Sequence, residues 1–363
     1  MRNGELVGRL RAWIEQGERQ GPYSLQLNPT MACDLNCVFC RRQDRLREYY
    51  QRAREIETCR YLRMVRDALD LGVKVVVVKG GGEPLLRKSL LLELAPLVKS
   101  RGAYGNLVTN GTHLDDVLAR ALVASGWDQV TISLDGPDAG THDELRAKAG
   151  TFDRVMASID RLNAAKAAAG ARLPLLGFHC VITRRNHDRI DRLIELARAK
   201  GAGHVEFDSM SLRDEQARAL LMDAESAERF LAAVPRRIGQ LERHGMTHDL
   251  DRFQREEHVR RESAAAVPLH PSLPCYYPFY QAAVTPGGDI VPCCYAEETH
   301  RSGSNLNEVS FAEAWFDGDP RRYRESMRRG EMLPFCKDCT ARYSGNNEET
   351  RRWLSEEAVD AGR

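Results

Sequence analysis

The sequence lacks the features that would direct it to a membrane or to nucleic acid. Residues 1–21 alternate charged and apolar side chains without a continuous apolar run, so we predict neither a signal peptide nor a membrane anchor there. The 53 Lys and Arg side chains almost balance the 52 Asp and Glu side chains, and the net charge of +1 gives no general attraction to nucleic acid or to a membrane surface. These absences predict a cytoplasmic protein without a nucleic-acid or membrane partner.

Histidine is also missing from the neighbourhood of the first three cysteines. Cys33, Cys37 and Cys40 have a C-x3-C-x2-C spacing after a strand-like run, whereas the nearest histidine is His113. A structural zinc needs four closed ligands and would lack its fourth donor locally. Three thiolates on a [4Fe-4S] cluster instead leave one iron open, and that iron can chelate the amino and carboxylate groups of S-adenosylmethionine (SAM).

Strand-like and helix-like segments alternate through the first part of the chain. The predicted strands are 23–28, 73–78, 106–109, 129–134, 175–182 and 204–207. Six parallel strands with right-handed helical crossovers predict an α/β fold, a partial (β/α)6 barrel whose functional groups lie at the C-terminal ends of the strands. The alternative is a doubly wound Rossmann sheet, but the first loop carries cysteines where a nucleotide fold would carry a glycine-rich turn.

Composition divides the chain into four segments. Residues 1–212 hold the predicted barrel, and residues 213–270 are charged and helical, which predicts a helical bridge. Residues 271–345 are rich in cysteine and open with several prolines, whereas residues 346–363 look like a polar tail.

Three further loops follow predicted strands. Gly80-Gly81-Gly82-Glu83-Pro84 comes after the second strand, and its glycines let the backbone approach a ligand closely. Asn110 follows the third strand within a Thr-Asn-Gly turn, and Ser133 and Asp135 alternate onto one face at the end of the fourth. Each of these sequences is also compatible with an ordinary turn.

A second group of cysteines lies near the C-terminus, and no cysteine follows it. Its members are Cys275, Cys293, Cys294, Cys336 and Cys339. Gly288 stands five positions before Cys293, and the last two cysteines form a C-x2-C pair. Four thiolates make a closed site, so a structural zinc is the alternative to an iron–sulfur cluster here.

Taken together, these motifs resemble the radical SAM superfamily, with the C-terminal set similar to the SPASM/twitch extension of its members. The resemblance implies that Cys33, Cys37 and Cys40 hold a SAM-binding [4Fe-4S] cluster. It implies SAM contacts from Phe39, Gly81, Gly82, Glu83, Asn110, Ser133 and Asp135. A full SPASM pattern has seven cysteines and two clusters, so the shorter count here implies one auxiliary [4Fe-4S] cluster held by Cys275, Cys293, Cys336 and Cys339.

The resemblance implies an enzyme that reductively cleaves SAM and abstracts a hydrogen atom from a C–H bond of its substrate. An external one-electron reductant such as flavodoxin or ferredoxin would be its partner. Only about twenty residues precede the first strand, where peptide maturases of this branch carry a recognition domain, and the single auxiliary cluster resembles the aminocyclitol dehydrogenase and sugar epimerase branch. We therefore expect a carbohydrate-like or aminocyclitol small molecule, in antibiotic biosynthesis.

The sequence also has to be weighed against other functions. The main alternative is a maturase that acts on a ribosomal precursor peptide. An iron–sulfur sensor or scaffold would not need the Gly-Gly-Glu-Pro element, and an RNA modifier would be expected to show a basic face or an RNA domain.

Three cysteines remain outside the two predicted clusters. Cys59 lies in a helix and is expected to be a small buried hydrophobe. Cys294 and Cys180 are candidate hydrogen-atom donors, which an epimerase would need and a dehydrogenase would not. We expect dehydrogenation, because packing alone accounts for Cys294.

Overall fold

The computed structural model describes residues 4–40, 55–209, 218–262, 275–293, 296, 303–331, 333, 336 and 346–360. Among these residues, no helix is both long and apolar enough to cross a membrane.

The predicted alternation of strands and helices is confirmed. The strands are β1 Ser24–Leu27, β2 Val75–Val78, β3 Tyr104–Thr109, β4 Gln129–Ser133, β5 Leu175–Ile182 and β6 His204–Ser209. The helices are α1 Gly4–Ile14, α2 Thr58–Asp70, α3 Lys88–Ser100, α4 Asp116–Ser125, α5 Ala139–Arg146, α6 Thr151–Ala168 and α7 Ile190–Ala199. Short 3-10 turns at Pro84–Arg87 and His187–Arg189 precede α3 and α7. Each of these six strands lies within two residues of its predicted bounds.

Side-chain caps and a left-handed glycine define the ends of the helices. The Asp115 carboxylate accepts a hydrogen bond from the Leu118 N–H at the start of α4, and Asp138 accepts one from the Thr141 N–H at the start of α5. These contacts satisfy backbone donors that the first helical turn leaves without an intrahelical partner. Gly126 ends α4 with a φ of 69°, a conformation that glycine adopts without steric cost.

The six strands form one open parallel sheet that continues at both edges. Strand β7, Thr247–His248, pairs with β6 in parallel. At the other edge β8, Gln281–Val284, pairs in parallel with β1, and β9, Ile290–Val291, pairs antiparallel with β8. The order is β7-β6-β5-β4-β3-β2-β1-β8-β9, which is an open sheet and agrees with a partial barrel. Strand β8 satisfies the backbone groups at the outer edge of β1.

The two faces of the sheet have different partners. Leu25 and Leu27 of β1 are fully buried in the main core, which lies between the sheet and the helices that cover it. Ser24 and Gln26, the alternate residues, line a large cavity on the opposite, concave face. Because side chains alternate along a strand, each strand contributes to both the core and the cavity wall.

The remaining helices follow the barrel strands in sequence. They are α8 Ala224–Arg243, α9 Leu250–Glu262, α10 Tyr277–Tyr280, α11 Phe311–Phe316, α12 Asp319–Arg328 and α13 Asn346–Asp360. Helix α13 occupies the segment whose composition suggests a polar tail. Its Trp353 and Leu354 pack against a second core cluster that contains Leu6 and Trp13 of α1, so the helix is part of the packed structure.

A buried arginine joins the N-terminal and C-terminal helices. The Arg324 guanidinium lies 4.6 Å from the ring centroids of both Trp13 and Trp315. It donates hydrogen bonds to the carbonyl oxygens of Trp315 (2.7 Å) and Pro278 (3.2 Å). Burial, together with the neighbouring arginines, lowers the pKa of Arg324 to about 9, so the group stays charged near neutral pH.

Replacing this arginine tests how much the junction contributes to stability. Arg324→Met should keep most of the packing against the indoles but leave two buried carbonyls without their donor, at a cost of about 2–4 kcal/mol in the free energy of unfolding. Arg321→Met is the matched control, because Arg321 forms an exposed pair with Glu325 on the same helix and such pairs contribute about 0–1 kcal/mol. Thermal unfolding followed by tryptophan fluorescence measures both variants. Equal losses of stability in the two variants would contradict the conclusion that Arg324 stabilises the contact between these helices.

Candidate active site

The concave face of the sheet encloses a cavity of about 890 Å³. Its lining includes the described cysteines of both predicted sets, namely Cys33, Cys37, Cys40, Cys275, Cys293 and Cys336. Among the predicted SAM contacts, Gly81, Gly82, Glu83, Asn110 and Ser133 also line it. Both cysteine sets therefore line the same cavity, although they are distant in sequence. Cys294 and Cys339 lie outside the described residues.

The turn after β3 holds the first cysteine loop through Asp34. The Asn110 Nδ2 donates to one carboxylate oxygen of Asp34 (2.9 Å), and the Thr112 Oγ1 donates to the other (2.8 Å). Lys148 donates to the Asp34 carbonyl at 2.8 Å. Burial opposes ionisation, but these hydrogen bonds and the nearby charges of His113 and Lys148 hold the pKa of Asp34 below its ordinary value. Asp34 and Thr112 are positions that hold this loop and that the sequence motifs do not identify.

The glycine-rich turn after β2 packs directly on the cysteine loop. The Glu83 N–H donates to the Ala32 carbonyl at 2.8 Å. A Cβ at Gly82 would lie 2.1 Å from that same carbonyl oxygen, and a Cβ at Gly81 would lie 2.3 Å from the Met31 sulfur. Glycine is therefore required at position 82, where the backbone of another loop approaches closely, whereas a side chain at position 81 would displace the flexible end of Met31.

The Glu83 carboxylate joins two loops. One oxygen accepts from the Leu85 N–H (2.9 Å) and from the Thr109 Oγ1 (2.6 Å), and the other accepts from the Asn110 N–H (2.7 Å). Burial outweighs these hydrogen bonds and raises the pKa of Glu83 to about 7. Its side chain holds the turns after β2 and β3 together, and its role toward SAM stays a prediction.

The end of β4 separates the two residues predicted to share one face. Ser133 lines the cavity, but Asp135 is fully buried and does not. The Asp135 carboxylate accepts from the Val181 N–H at 2.9 Å and forms an ion pair with Arg146 at 2.6 Å. The strand ends at Ser133, so its alternation no longer determines where Asp135 points. Arg146, at the end of α5, is the residue of this pair that reaches the cavity.

The aromatic residue of the first cysteine motif packs beside the same arginine. The Arg146 guanidinium lies 5.5 Å from the centroid of the Phe39 ring. Phe39 also packs against Leu220 in a small apolar cluster. It is not among the residues that line the cavity, and its predicted SAM contact stays a prediction.

A charged wall, formed by His179, Glu206, Asp208 and Arg252, lines the part of the cavity above β5 and β6. His179 Nε2 lies 3.0 Å from a carboxylate oxygen of Asp208. Arg252 lies 3.6 Å from Asp208 and 3.7 Å from Glu206. Burial disfavours charge on both members of the pair, but their mutual contact raises the pKa of His179 to about 9 and lowers that of Asp208 to about 2. The sequence signal for this wall is a polar residue within the apolar strand β5 and the alternate acidic positions of β6, whereas Arg252 lies on a helix and has no such signal.

The second cysteine set is held by the hairpin and by α13. Gly288 has a φ of 96° in the turn between β8 and β9, which leads to Cys293. The buried Asn347 of α13 donates from Nδ2 to the Cys275 sulfur at 3.4 Å, and its Oδ1 accepts from the Tyr276 N–H at 3.0 Å. Asn347 is thus a positioning residue in a segment whose composition gave no indication of one.

The two other described cysteines lie away from the cavity. No disulfide joins any two of the eight described cysteines. Cys180 is fully buried in the main core and is not among the residues that line the cavity, and its predicted role as a hydrogen-atom donor stays a prediction. Cys59 is exposed, contrary to the expectation of burial, because α2 buries the face that carries Tyr61 and Met64.

The His179–Asp208 pair predicts a specific pH dependence of stability. The ordinary pKa of histidine, 6.5, is below the folded value of about 9, so the contribution of His179 is complete below pH 6.5 and disappears as the pH rises to about 9. The contribution of Asp208 is complete above its ordinary pKa of 3.8 and is lost as the pH falls to about 2. Wild-type protein should therefore lose stability between pH 6.5 and 9 in thermal unfolding. His179→Gln and Asp208→Asn should both flatten that decline, and an unchanged decline in both would refute the assignment.

Comparison with known proteins places these observations in a family. The model described as the radical SAM superfamily matches residues 27–197, and the model described as an iron–sulfur cluster-binding domain, SPASM, matches residues 275–340. The PqqA peptide cyclase of Ruegeria pomeroyi is 28% identical, over 88% of this chain and 79% of its own. Streptococcus suis SuiB bound to precursor peptide SuiA has a TM-score of 0.63 at 18% identity, over 86% of this chain and 69% of that one. The structure of anSMEcpe with bound AdoMet and Cp18Cys peptide has a TM-score of 0.62 at 18% identity, over 94% and 98%.

These relatives overturn the predicted substrate. One is a peptide cyclase by name and two were solved with a peptide, so the prediction of a carbohydrate-like or aminocyclitol small molecule is wrong. That prediction depended on the number of residues before the first strand and on the number of cysteines in the extension. Neither quantity describes the surface that a substrate contacts.

The cavity residues fit the cofactors that the two domains imply. Three cysteine sulfurs of the first set face one cavity, beside loops whose glycines admit close approach, and this arrangement suits a SAM-binding [4Fe-4S] cluster with SAM itself. The described cysteines of the second set suit auxiliary iron–sulfur binding. The chain belongs to the radical SAM superfamily and carries a C-terminal SPASM iron–sulfur cluster-binding domain.

Proposed function

We propose that this protein is a radical SAM peptide maturase, an enzyme that modifies a precursor peptide made by the ribosome. The observation that carries the proposal is the similarity to PqqA peptide cyclases over 88% of the chain. When bound, the cluster and SAM supply a deoxyadenosyl radical that takes a hydrogen atom from a C–H bond of the substrate. Cyclisation of a peptide is the outcome that these relatives favour. A cytoplasmic location and an external one-electron reductant such as flavodoxin or ferredoxin belong to the same proposal.

Different loops around the first cysteine set would bind different groups of SAM. Ser133 and the Arg146 guanidinium line the cavity, and we assign them to the SAM carboxylate because a hydroxyl and a guanidinium both donate to carboxylates. Gly81 and Gly82 also line the cavity, and their backbone would bind the amino group of SAM. Glu83 is committed to three protein donors and keeps the glycine turn in place.

The shape of the cavity suits a side chain presented between the two cysteine sets. Cys33 and Cys275 both line it, so a bound residue would share one space with both sets. Tyr277 and Trp353 line it as well, whereas His179 belongs to its charged wall. A peptide offers both apolar and charged groups, and this mixed lining can accommodate both.

Iron content tests the assignment of the two cysteine sets. Anaerobically reconstituted wild-type protein should bind about eight iron atoms, if a [4Fe-4S] cluster occupies each set. The triple variant Cys33→Ala, Cys37→Ala, Cys40→Ala should retain about four, held by the second set. Cys59→Ala is the matched control, because Cys59 is an exposed cysteine outside the cavity, and it should keep the full content. Loss of all iron in the triple variant would argue against independent sites.

Substrate class is tested with peptides and small molecules in parallel. The reduced holoenzyme with SAM is incubated with synthetic copies of the short peptides encoded beside its gene and, separately, with aminocyclitols. We expect 5′-deoxyadenosine and a peptide product lighter by two hydrogen atoms, as crosslinking within a peptide requires. Cys40→Ala should form neither, because it lacks a cluster ligand. Consumption of an aminocyclitol with every peptide unchanged would reject the maturase proposal.

A further inference from the structure

Arg146 makes three contacts that converge on the first cysteine set. Its Nη1 donates to the Cys37 sulfur at 3.6 Å, its Nη2 pairs with the Asp135 carboxylate at 2.6 Å, and its guanidinium lies over the Phe39 ring. The side chain is 7% exposed and that of Asp135 is 0% exposed. A buried cation therefore touches a sulfur that we assign to the SAM-binding cluster.

The protein fixes this arginine through its carboxylate partner. The Asp135 carboxylate accepts from the Val181 N–H at 2.9 Å, and its carbonyl accepts from the Asn186 Nδ2 at 2.8 Å. The Asp135 N–H donates to His142 Nδ1 at 3.2 Å. Burial and the nearby Arg146 charge lower the pKa of His142 to about 2, so His142 is neutral and accepts this bond. The network thus contains one positive and one negative charge at defined positions beside the cysteine loop.

Two other cysteine sulfurs have uncharged donors beside them, unlike Cys37. Asn110 Nδ2 lies 4.0 Å from the Cys33 sulfur, and Asn347 Nδ2 lies 3.4 Å from the Cys275 sulfur. Both of these donors are neutral amides. Hydrogen bonds to the sulfurs and local charge are two of the properties that set the reduction potential of an iron–sulfur cluster. The charged donor at Cys37 therefore has an effect that a neutral amide cannot reproduce.

We propose that Arg146 raises the reduction potential of the cluster held by Cys33, Cys37 and Cys40, and that Asp135, which positions this arginine, partly offsets the effect. One-electron reduction adds a negative charge to the cluster, and a cation that donates to a ligand sulfur stabilises the reduced state. The buried carboxylate opposes it. This inference goes beyond the proposed function, because it concerns the cluster before SAM or substrate is bound and is independent of the substrate class.

The test is a potentiometric titration of the reconstituted full-length protein, followed by EPR in the absence of SAM and of any peptide. Arg146→Gln should shift the midpoint potential of this cluster to a more negative value, and Asp135→Asn should shift it to a more positive value. The second cluster is titrated separately in the Cys33→Ala, Cys37→Ala, Cys40→Ala background, where Arg146→Gln should leave its potential unchanged. If Arg146 and Asp135 had a purely structural role, the two replacements would not shift the midpoint potential in opposite directions.

Two further variants keep the test decisive if a single replacement fails to fold. The double variant Arg146→Gln, Asp135→Asn removes both buried charges, which avoids an uncompensated ion, and its potential should lie between those of the single variants. Lys79→Gln makes the same charge change at another residue of the cavity lining and should produce a smaller shift than Arg146→Gln. Equal shifts from Arg146→Gln and Lys79→Gln, or shifts of the same sign from Arg146→Gln and Asp135→Asn, would overturn the proposal.

Discussion

The hydrogen bonds that hold the first cysteine loop are the constraint on which the rest of the site depends. The loop leaves β1 without regular secondary structure of its own, so its neighbours determine its shape. The turn after β2 donates to its backbone, the turn after β3 holds Asp34, and the Val38 N–H donates to the Leu145 carbonyl of α5. Three successive βα units therefore position the cysteines. A site assembled in this way is as rigid as the sheet from which its loops extend.

Charged groups taken out of water are a second constraint, and the buried arginines Arg146 and Arg324 both have defined partners. Arg146 pairs with the fully buried carboxylate of Asp135. Arg324 donates to two backbone carbonyls between two indole rings. An ion without such compensation would be strongly destabilising in the interior. The same partners decide which charge each group presents to the cavity, so the requirements of stability also define the electrostatics of the site.

The C-terminal segment completes the cavity because it is continuous with the barrel sheet. Strand β8 pairs in parallel with β1, so the two strands run in the same direction side by side. The cysteine loop follows β1, and the hairpin that leads to Cys293 follows β8. Helix α13 then contributes Asn347 to Cys275. Both cysteine sets face the same space because a strand of the second segment occupies the edge of the first.

The sequence by itself determined the regular elements and the chemistry of the cysteines. The run Val75–Val78 has the β-branched composition of a buried strand, and the C-x3-C-x2-C spacing without a local fourth ligand favours an iron–sulfur cluster over zinc. Local patterns of this kind depend on neighbours in sequence, so they can be read without a structure. The family assignment, the partial barrel and the two cysteine groups all follow from such patterns.

Only the tertiary structure decided which way side chains point once a strand has ended and which distant segments meet. Asp135 lies beyond the end of β4 and turns into the protein toward Arg146, whereas Cys180 faces the covering helices. Helix α13 is polar in composition, yet Trp353 packs against α1, a contact that depends on a surface more than 300 residues away in sequence. The motifs could not predict the substrate class for the same reason. A substrate contacts a surface that folding assembles from many segments, and no single segment encodes that surface.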